Sequence, residues 1–182
     1  MTGSQPSPNY LEVTKLQISA EQVKELREKC GAGVMECRNA LVESQGDVNK
    51  AFDALQAKGF LKAAKKAERV TGQGLVEAYV HTGGRVGALI ELNCETDFVA
   101  RTDEFKKLAH DVAMQVAAMC PVYVNEGDRP ETCEIEANSA CLMLQPFIKD
   151  PSKTIKDLVT EGITRTGENI RLKRFVRFEL GG

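Results

Sequence analysis

The chain reads as α+β: a small three-helix bundle comes first, then an antiparallel sheet packed with helices. Three observations predict this. Apolar residues recur at helical spacing up to Gly59, and glycines punctuate them. From Gln73 the period drops from 3.6 to 2, the spacing of half-buried strands. One long amphipathic pattern comes after the strands and supplies the cover that an apolar sheet face requires.

Residues 1–17 include "TGSQPSP" and read as a mobile tail. The bundle occupies residues 18–57. Ser19 with Gln22 predicts a capping box, and Val23, Leu26 and Cys30 share the face of a first helix. Residues 31–33, Gly-Ala-Gly, stop it. A second helix places Val34, Cys37 and Leu41 on one stripe and ends near Gln45 and Gly46. Asp47 caps a third, with Val48, Ala51, Phe52 and Leu55 inward and Gly59 as its close. A bundle this small has little stability to spare and is expected to dock on a partner or on the rest of the chain.

Residues 58–72 read as a connecting helix or linker with a basic back, and residues 73–182 as the α+β core. Two strand runs, "GLVEAYVH" and "RVGALIELNC", flank the loop Thr82-Gly83-Gly84 as a hairpin. Val86, Ala88, Ile90, Leu92 and Cys94 alternate onto a buried face. Phe105, Leu108, Ala109, Val112, Ala113 and Val116 form the strongest amphipathic helix, which Pro121 ends. Residues 122–124 suggest a short strand, 125–138 an acidic loop, and 140–144 a short helix. Asp150 is expected to cap a further helix with Pro151 in its first position. In the last strand Ile170, Leu172, Val176, Phe178 and Leu180 share one parity.

Composition narrows function. Of 182 residues 42% are hydrophobic and 27% charged, ordinary proportions for a folded domain, and the net charge of −2 creates no global field for nucleic acid or membrane. Six cysteines without a CxxC pair, and two histidines, offer no metal-ligand spacing, so no metal and no cofactor is expected. Free thiols, no secretory pattern and no apolar run of membrane-spanning length predict a reducing cytoplasm. No GxSxG, phosphate-loop or dinucleotide motif is present, and no catalytic residue is expected. The basic strand with Arg171, Lys173, Arg177 and Phe175 admits an RNA-binding reading, but a charged, solvated edge strand accounts for it more simply.

The segment "NCETDFVARTDEF", residues 93–105, stands apart. Between the end of a strand and the start of a helix, Phe98 and Val99 sit beside Thr96, Asp97, Arg101 and Asp103. The flanking elements already carry complete apolar faces. An aromatic at such a polar corner suits a protein-binding hot spot.

This segment resembles a signature of the translation elongation factor Ts family. "VKELREKCGAGVMECRNALVESQGDVNKAFDALQAKGFLKAAKKAERV" resembles that family's N-terminal module, whose topology is similar to ubiquitin-associated domains, and "QPFIKDPSKTI" resembles its C-terminal segment. The likeness runs from about Ile18 to Leu180, in a short form with a single core. It implies guanine-nucleotide exchange on elongation factor Tu, GDP-bound and nucleotide-free, without direct nucleic-acid or membrane contact. It also implies a core of the kind that dimerises, so that a homodimer can replace the second core of longer relatives. The expected partner-binding residues are Thr96, Asp97, Phe98 and Val99 at the corner, with Arg27, Val34 and Met35 in the module. His81 joins them, because "VHTGGRVG" is similar to the segment around a functional histidine of long members. Two alternatives stay open here: a ubiquitin-associated-like peptide-binding module and an RNA-binding protein.

Overall fold

A computed structural model describes residues 18–181; the expected tail at 1–17 lies outside the described residues. Helices α1 (Ala20–Cys30), α2 (Val34–Glu43) and α3 (Val48–Lys66) form the bundle. Ser19 and Gln22 make the expected reciprocal cap, with Gln22 N donating to Ser19 Oγ at 3.1 Å and Ser19 N to Gln22 Oε1 at 3.0 Å. Gly31 ends α1 at φ 66°, a conformation that glycine adopts without a Cβ penalty. The Asp47 carboxylate accepts from Asn49 N and Lys50 N and so starts α3. Leu26, Cys37, Ala40, Leu41 and Ala51 fill the small core.

Two expectations fail in this region. Gly59 does not end the third helix, which continues unbroken to Lys66. It lies buried against a later helix, and a methyl there would come within 3.3 Å of Thr164 Oγ1. Close approach of two helices explains this glycine, and a helix stop does not. Val34 is 51% exposed, so the packed stripe of α2 begins at Cys37.

The core is built on strands β1 (Gln73–Val80), β2 (Val86–Cys94) and β5 (Ile170–Glu179), antiparallel in the order β1-β2-β5. Between β2 and β5 run α4 (Asp97–Ala100), α5 (Asp103–Met119), α6 (Ala137–Ala140), the short pair β3 (Pro146–Phe147) and β4 (Asp150–Thr154), and α7 (Ile155–Thr166). Ala88, Ile90, Leu92 and Cys94 point inward as their alternation requires, and Phe105, Ala109, Val112, Ala113 and Val116 of α5 pack on them. Ile155, Val159 and Ile163 of α7 complete this core. None of the helices among the described residues is long and apolar enough to cross a membrane.

Further corrections concern the second half. Residues 122–124 form no strand; Tyr123 makes one isolated bridge to Cys141. The short helix falls at 137–140 and is followed by a 3-10 turn, Leu142–Leu144, so the expected span is shifted. The acidic loop is tied to itself, with Arg129 donating to the carbonyls of Cys133 and Ile135. Asp150 starts a strand, where its carboxylate accepts from Ser152 N at 3.2 Å. The helix cap is Thr154, with Asp157 closing a capping box that satisfies two otherwise orphaned donors.

In β5 a bulge opposite Glu91 and Leu92 inserts Lys173 and reverses the parity of the later residues. Phe175 and Arg177 therefore turn inward, and Arg177 Nε donates to Ala117 O at 3.0 Å. Val176 and Phe178 turn outward, against expectation. Lys173 and Arg174 both bind the Glu91 carboxylate, at 3.0 and 2.7 Å, and Arg177 now lies on the face opposite Arg171, so the expected row Arg171, Lys173 and Arg177 does not share one face. The outer face of the sheet is instead apolar, with Val76, Val80, Leu89, Val176 and Phe178 exposed.

Candidate partner-binding site

The corner after β2 is a single helical turn with separate anchors at each end. Thr96 caps α4 in extended geometry and accepts from Val99 N at 3.4 Å. Arg101 N closes the turn on Asp97 O and Phe98 O at 3.2 and 3.3 Å. Thr102 then donates its hydroxyl to Val99 O at 2.8 Å and accepts from Phe105 N, starting α5. Successive residues of a helix differ by about 100° in direction. Phe98 therefore stands 77% exposed while Val99 is 5% exposed. The grouping of Val99 with the solvent-facing residues is corrected: it points into the core and props the turn from beneath.

Asp97 pairs with Arg101 across the turn at 2.9 Å, both well exposed. An exposed pair of this kind contributes little to stability, so it leaves both charges available to a partner. Thr96 is exposed but already engaged, because its hydroxyl donates to Glu168 Oε1 at 2.6 Å. Glu168 Oε2 also accepts from Glu95 N and Thr96 N, at 3.2 and 3.0 Å. Glu95 in turn accepts from Asn169 N at 2.6 Å, and this bond, with Arg69 nearby, holds its carboxyl below the usual carboxylate range. Burial pushes the Cys94 thiol up, so it stays a neutral donor to Thr96 O at 3.1 Å.

Sequence reasoning missed Glu168, Glu95 and Asn169. A signal existed. β5 runs antiparallel to β2 with Ile170 opposite Cys94, so residues two positions further out on each strand, Glu168 and Thr96, face each other.

Of the expected module residues, Arg27, Val34 and Met35 are all exposed, the last at 61%. Arg27 lines a cleft with Glu104 and Arg165. Arg165 of α7 bonds Glu104 at 2.9 Å and packs against Gly31, so the α1–α2 turn abuts α7 and shares that cleft with the start of α5. The structure thus brings the module turn and the element after the Phe98 corner together. His81 is elsewhere. It sits on the hairpin loop, bonded to Tyr79 Oη at 3.0 Å, and β2 separates that loop from the corner. Nine residues of strand place the two roughly 30 Å apart.

Comparison with known proteins agrees with the architecture. A family model described as Elongation factor TS matches residues 16–136. The elongation factor Ts of Carboxydothermus hydrogenoformans is 50% identical, over 90% of this chain and 89% of its own length. Those of Syntrophomonas wolfei and Thermotoga neapolitana are each 46% identical, over 90% and 91% of this chain and 91% and 98% of their own. With likeness of this extent along nearly its whole length, the chain belongs to the elongation factor Ts family.

Proposed function

We propose that this protein promotes release of GDP from elongation factor Tu without performing chemistry of its own, using Phe98 as a wedge. The observation that carries this reading is a phenylalanine 77% exposed on a turn whose other apolar residue, Val99, is buried. The ring enters an apolar pocket between helices of the GTPase's nucleotide-binding domain, with Asp97 beside it. Displacing those helices disturbs the phosphate-binding loop and Mg²⁺ that hold GDP. A factor that prefers the nucleotide-free partner must weaken nucleotide binding by the same ratio.

The wedge is insufficient alone. Burying a phenylalanine contributes about 1.5–3 kcal/mol, whereas moving a two-state equilibrium from 1:99 to 99:1 requires roughly 5.5 kcal/mol of differential affinity. Arg27, Val34 and Met35 supply the second contact area. The exposure of all three, and the packing of their turn beside the start of α5, support that assignment.

The reading includes a second copy of this chain. Val76, Val80, Leu89, Val176 and Phe178 are exposed together on one sheet face, and an apolar face of this kind is suited to covering by another like it. Sedimentation equilibrium reports this directly; a monomer throughout the micromolar range contradicts it.

Release of labelled GDP from purified elongation factor Tu, with and without this protein, tests the exchange function. Acceleration that saturates with added protein is the expected outcome. Release at the unassisted rate contradicts the reading.

A further inference from the structure

We infer that Glu168 is a positioning residue for Phe98, acting from the far end of the core domain's sequence; the inference rests on the wedge reading above. A four-residue helix is far too short to hold itself, because nucleation costs more than one turn of hydrogen bonds returns. Buried Val99 and the Thr102 hydroxyl hold its C-terminal end, and the N-terminal end, which leads into Phe98, needs an anchor of its own. Strand pairing cannot supply one, since the β2–β5 ladder ends at Cys94 and Ile170.

Glu168 does so with both carboxylate oxygens. Oε2 accepts from the amides of Glu95 and Thr96, and Oε1 from the Thr96 hydroxyl. Among the described residues neither amide has another partner. Bonds to an ionised acceptor are the stronger kind, and three of them converge on the two residues that precede Asp97 and Phe98. The same Thr96 hydroxyl caps α4 by accepting from Val99 N, so the carboxylate sets the rotamer of the capping side chain itself.

Glu168 is itself immobilised. It lies in the turn between α7 and β5, and that turn is clamped by the end of α3. Lys66 Nζ donates to Gly167 O at 2.6 Å. The buried Asn169 side chain donates to Arg69 O at 3.0 Å and to Ala67 O at 3.4 Å. Glu95 closes the loop by accepting from Asn169 N and Arg69. The helix that begins in the N-terminal module therefore stiffens the base of the wedge, and Glu168 is the link that reaches it. Without that carboxylate the turn keeps only its C-terminal anchors, and the ring, still exposed, is less tightly aimed.

Two readouts separate aim from fold and from the wedge reading. The chain contains no tryptophan, so Phe98→Trp introduces a single reporter at the corner. In that background Glu168→Ala is expected to lower the indole anisotropy of the free protein, and Glu168→Gln, which retains an acceptor at the same reach, to preserve it. In the labelled-GDP assay at saturating factor, Glu168→Ala on the native Phe98 background is expected to slow release about tenfold, as misplacement of a positioned group does, with Glu168→Gln close to the native rate. Phe98→Ala combined with Glu168→Ala is expected to be no slower than Phe98→Ala alone. Unchanged anisotropy and unchanged release in Glu168→Ala overturn the inference, and so does an additive loss in the double variant. If Phe98→Ala itself leaves release unaltered, the wedge reading falls, while the anisotropy still decides whether Glu168 orients the corner. Should Glu168→Ala lose its circular dichroism signal, Glu168→Asp takes its place. That variant keeps the charge but withdraws it by one methylene, and native anisotropy there overturns the inference.

Discussion

The N-terminal bundle and the sheet domain both hold apolar side chains out to solvent, but on different foundations. Among the described residues, the bundle's Val34 and Met35 ride on α2 above a core of eight buried residues, none larger than leucine. Phe98 stands on one helical turn above a core of eighteen, with polar anchors drawn from three separate parts of the chain. Under the proposed function, this contrast suits the two regions to different work. A surface that supplements the displacement with added contact needs shape and a little area. One that displaces another protein's helices needs a backing that does not yield, and densely packed interiors with satisfied polar networks transmit force of that kind.

Core truncation should break the comparison most sharply. Phe105→Ala, at a site 1% exposed, is expected to cost the sheet domain about 3–5 kcal/mol. Leu26→Ala is expected to cost the bundle about 2–5 kcal/mol, most of what so small a core has in reserve. Hydrogen exchange should then show α1 and α2 unprotected while α5 remains protected. Equal loss of protection in α5 would mean that the regions fold as one unit and that the division of labour lacks a structural basis.

Surface truncation in the bundle comes next. Val34→Ala and Met35→Ala should each weaken binding to elongation factor Tu by about 0.5–1.5 kcal/mol, because a few methylenes leave the interface. Because a contact equal in both states shifts nothing, the maximal rate of GDP release should fall too, by less than in Phe98→Ala. A titration of release rate against factor concentration separates the two quantities, and a plateau left unchanged by both variants would show that the bundle only grips.

Acid should act last and least. The Lys62 hydrogen bond holds Glu36 of the bundle below the ordinary carboxylate value, and Asn169 N–H does the same for Glu95 in the core. Depressed carboxylates stabilise the fold at every pH above their unfolded value, 4.5 for glutamate here, and lose that contribution as pH falls through the lower folded value. Both side chains should titrate below 4.5 when carboxyl carbons are followed by NMR. A Glu95 midpoint at or above that value would mean that the anchor under the corner is not formed.

Legibility in the sequence tracked the range of the interactions. The Ser19–Gln22 box, the stop at Gly31 and the inward face of β2 depend on neighbours within a few residues, and each is found where the pattern places it. Phe98's exposure was also readable, since complete apolar faces on both sides left it no core to fill. Gly59 misled because a glycine that permits helix crossing has the same letter as one that ends a helix, and the deciding contact, Thr164, lies far along the chain. Asp150 preceding a proline imitates a helix start, but the capping box one turn later at Thr154 and Asp157 wins because it satisfies more donors. Val176 and Phe178 were placed on the wrong face because one inserted residue at a bulge is invisible without the partner strand. The Glu168 anchor required that same register.

The decisive experiment is labelled-GDP release from elongation factor Tu driven by Phe98→Ala. Its side chain is mostly in solvent, so stability should stay within about 0.5 kcal/mol of the native protein. Release should nevertheless slow by about tenfold to a hundredfold, the kinetic equivalent of about 1.5–3 kcal/mol of lost burial. Native release from a folded Phe98→Ala protein would contradict the claim that this ring does the displacing.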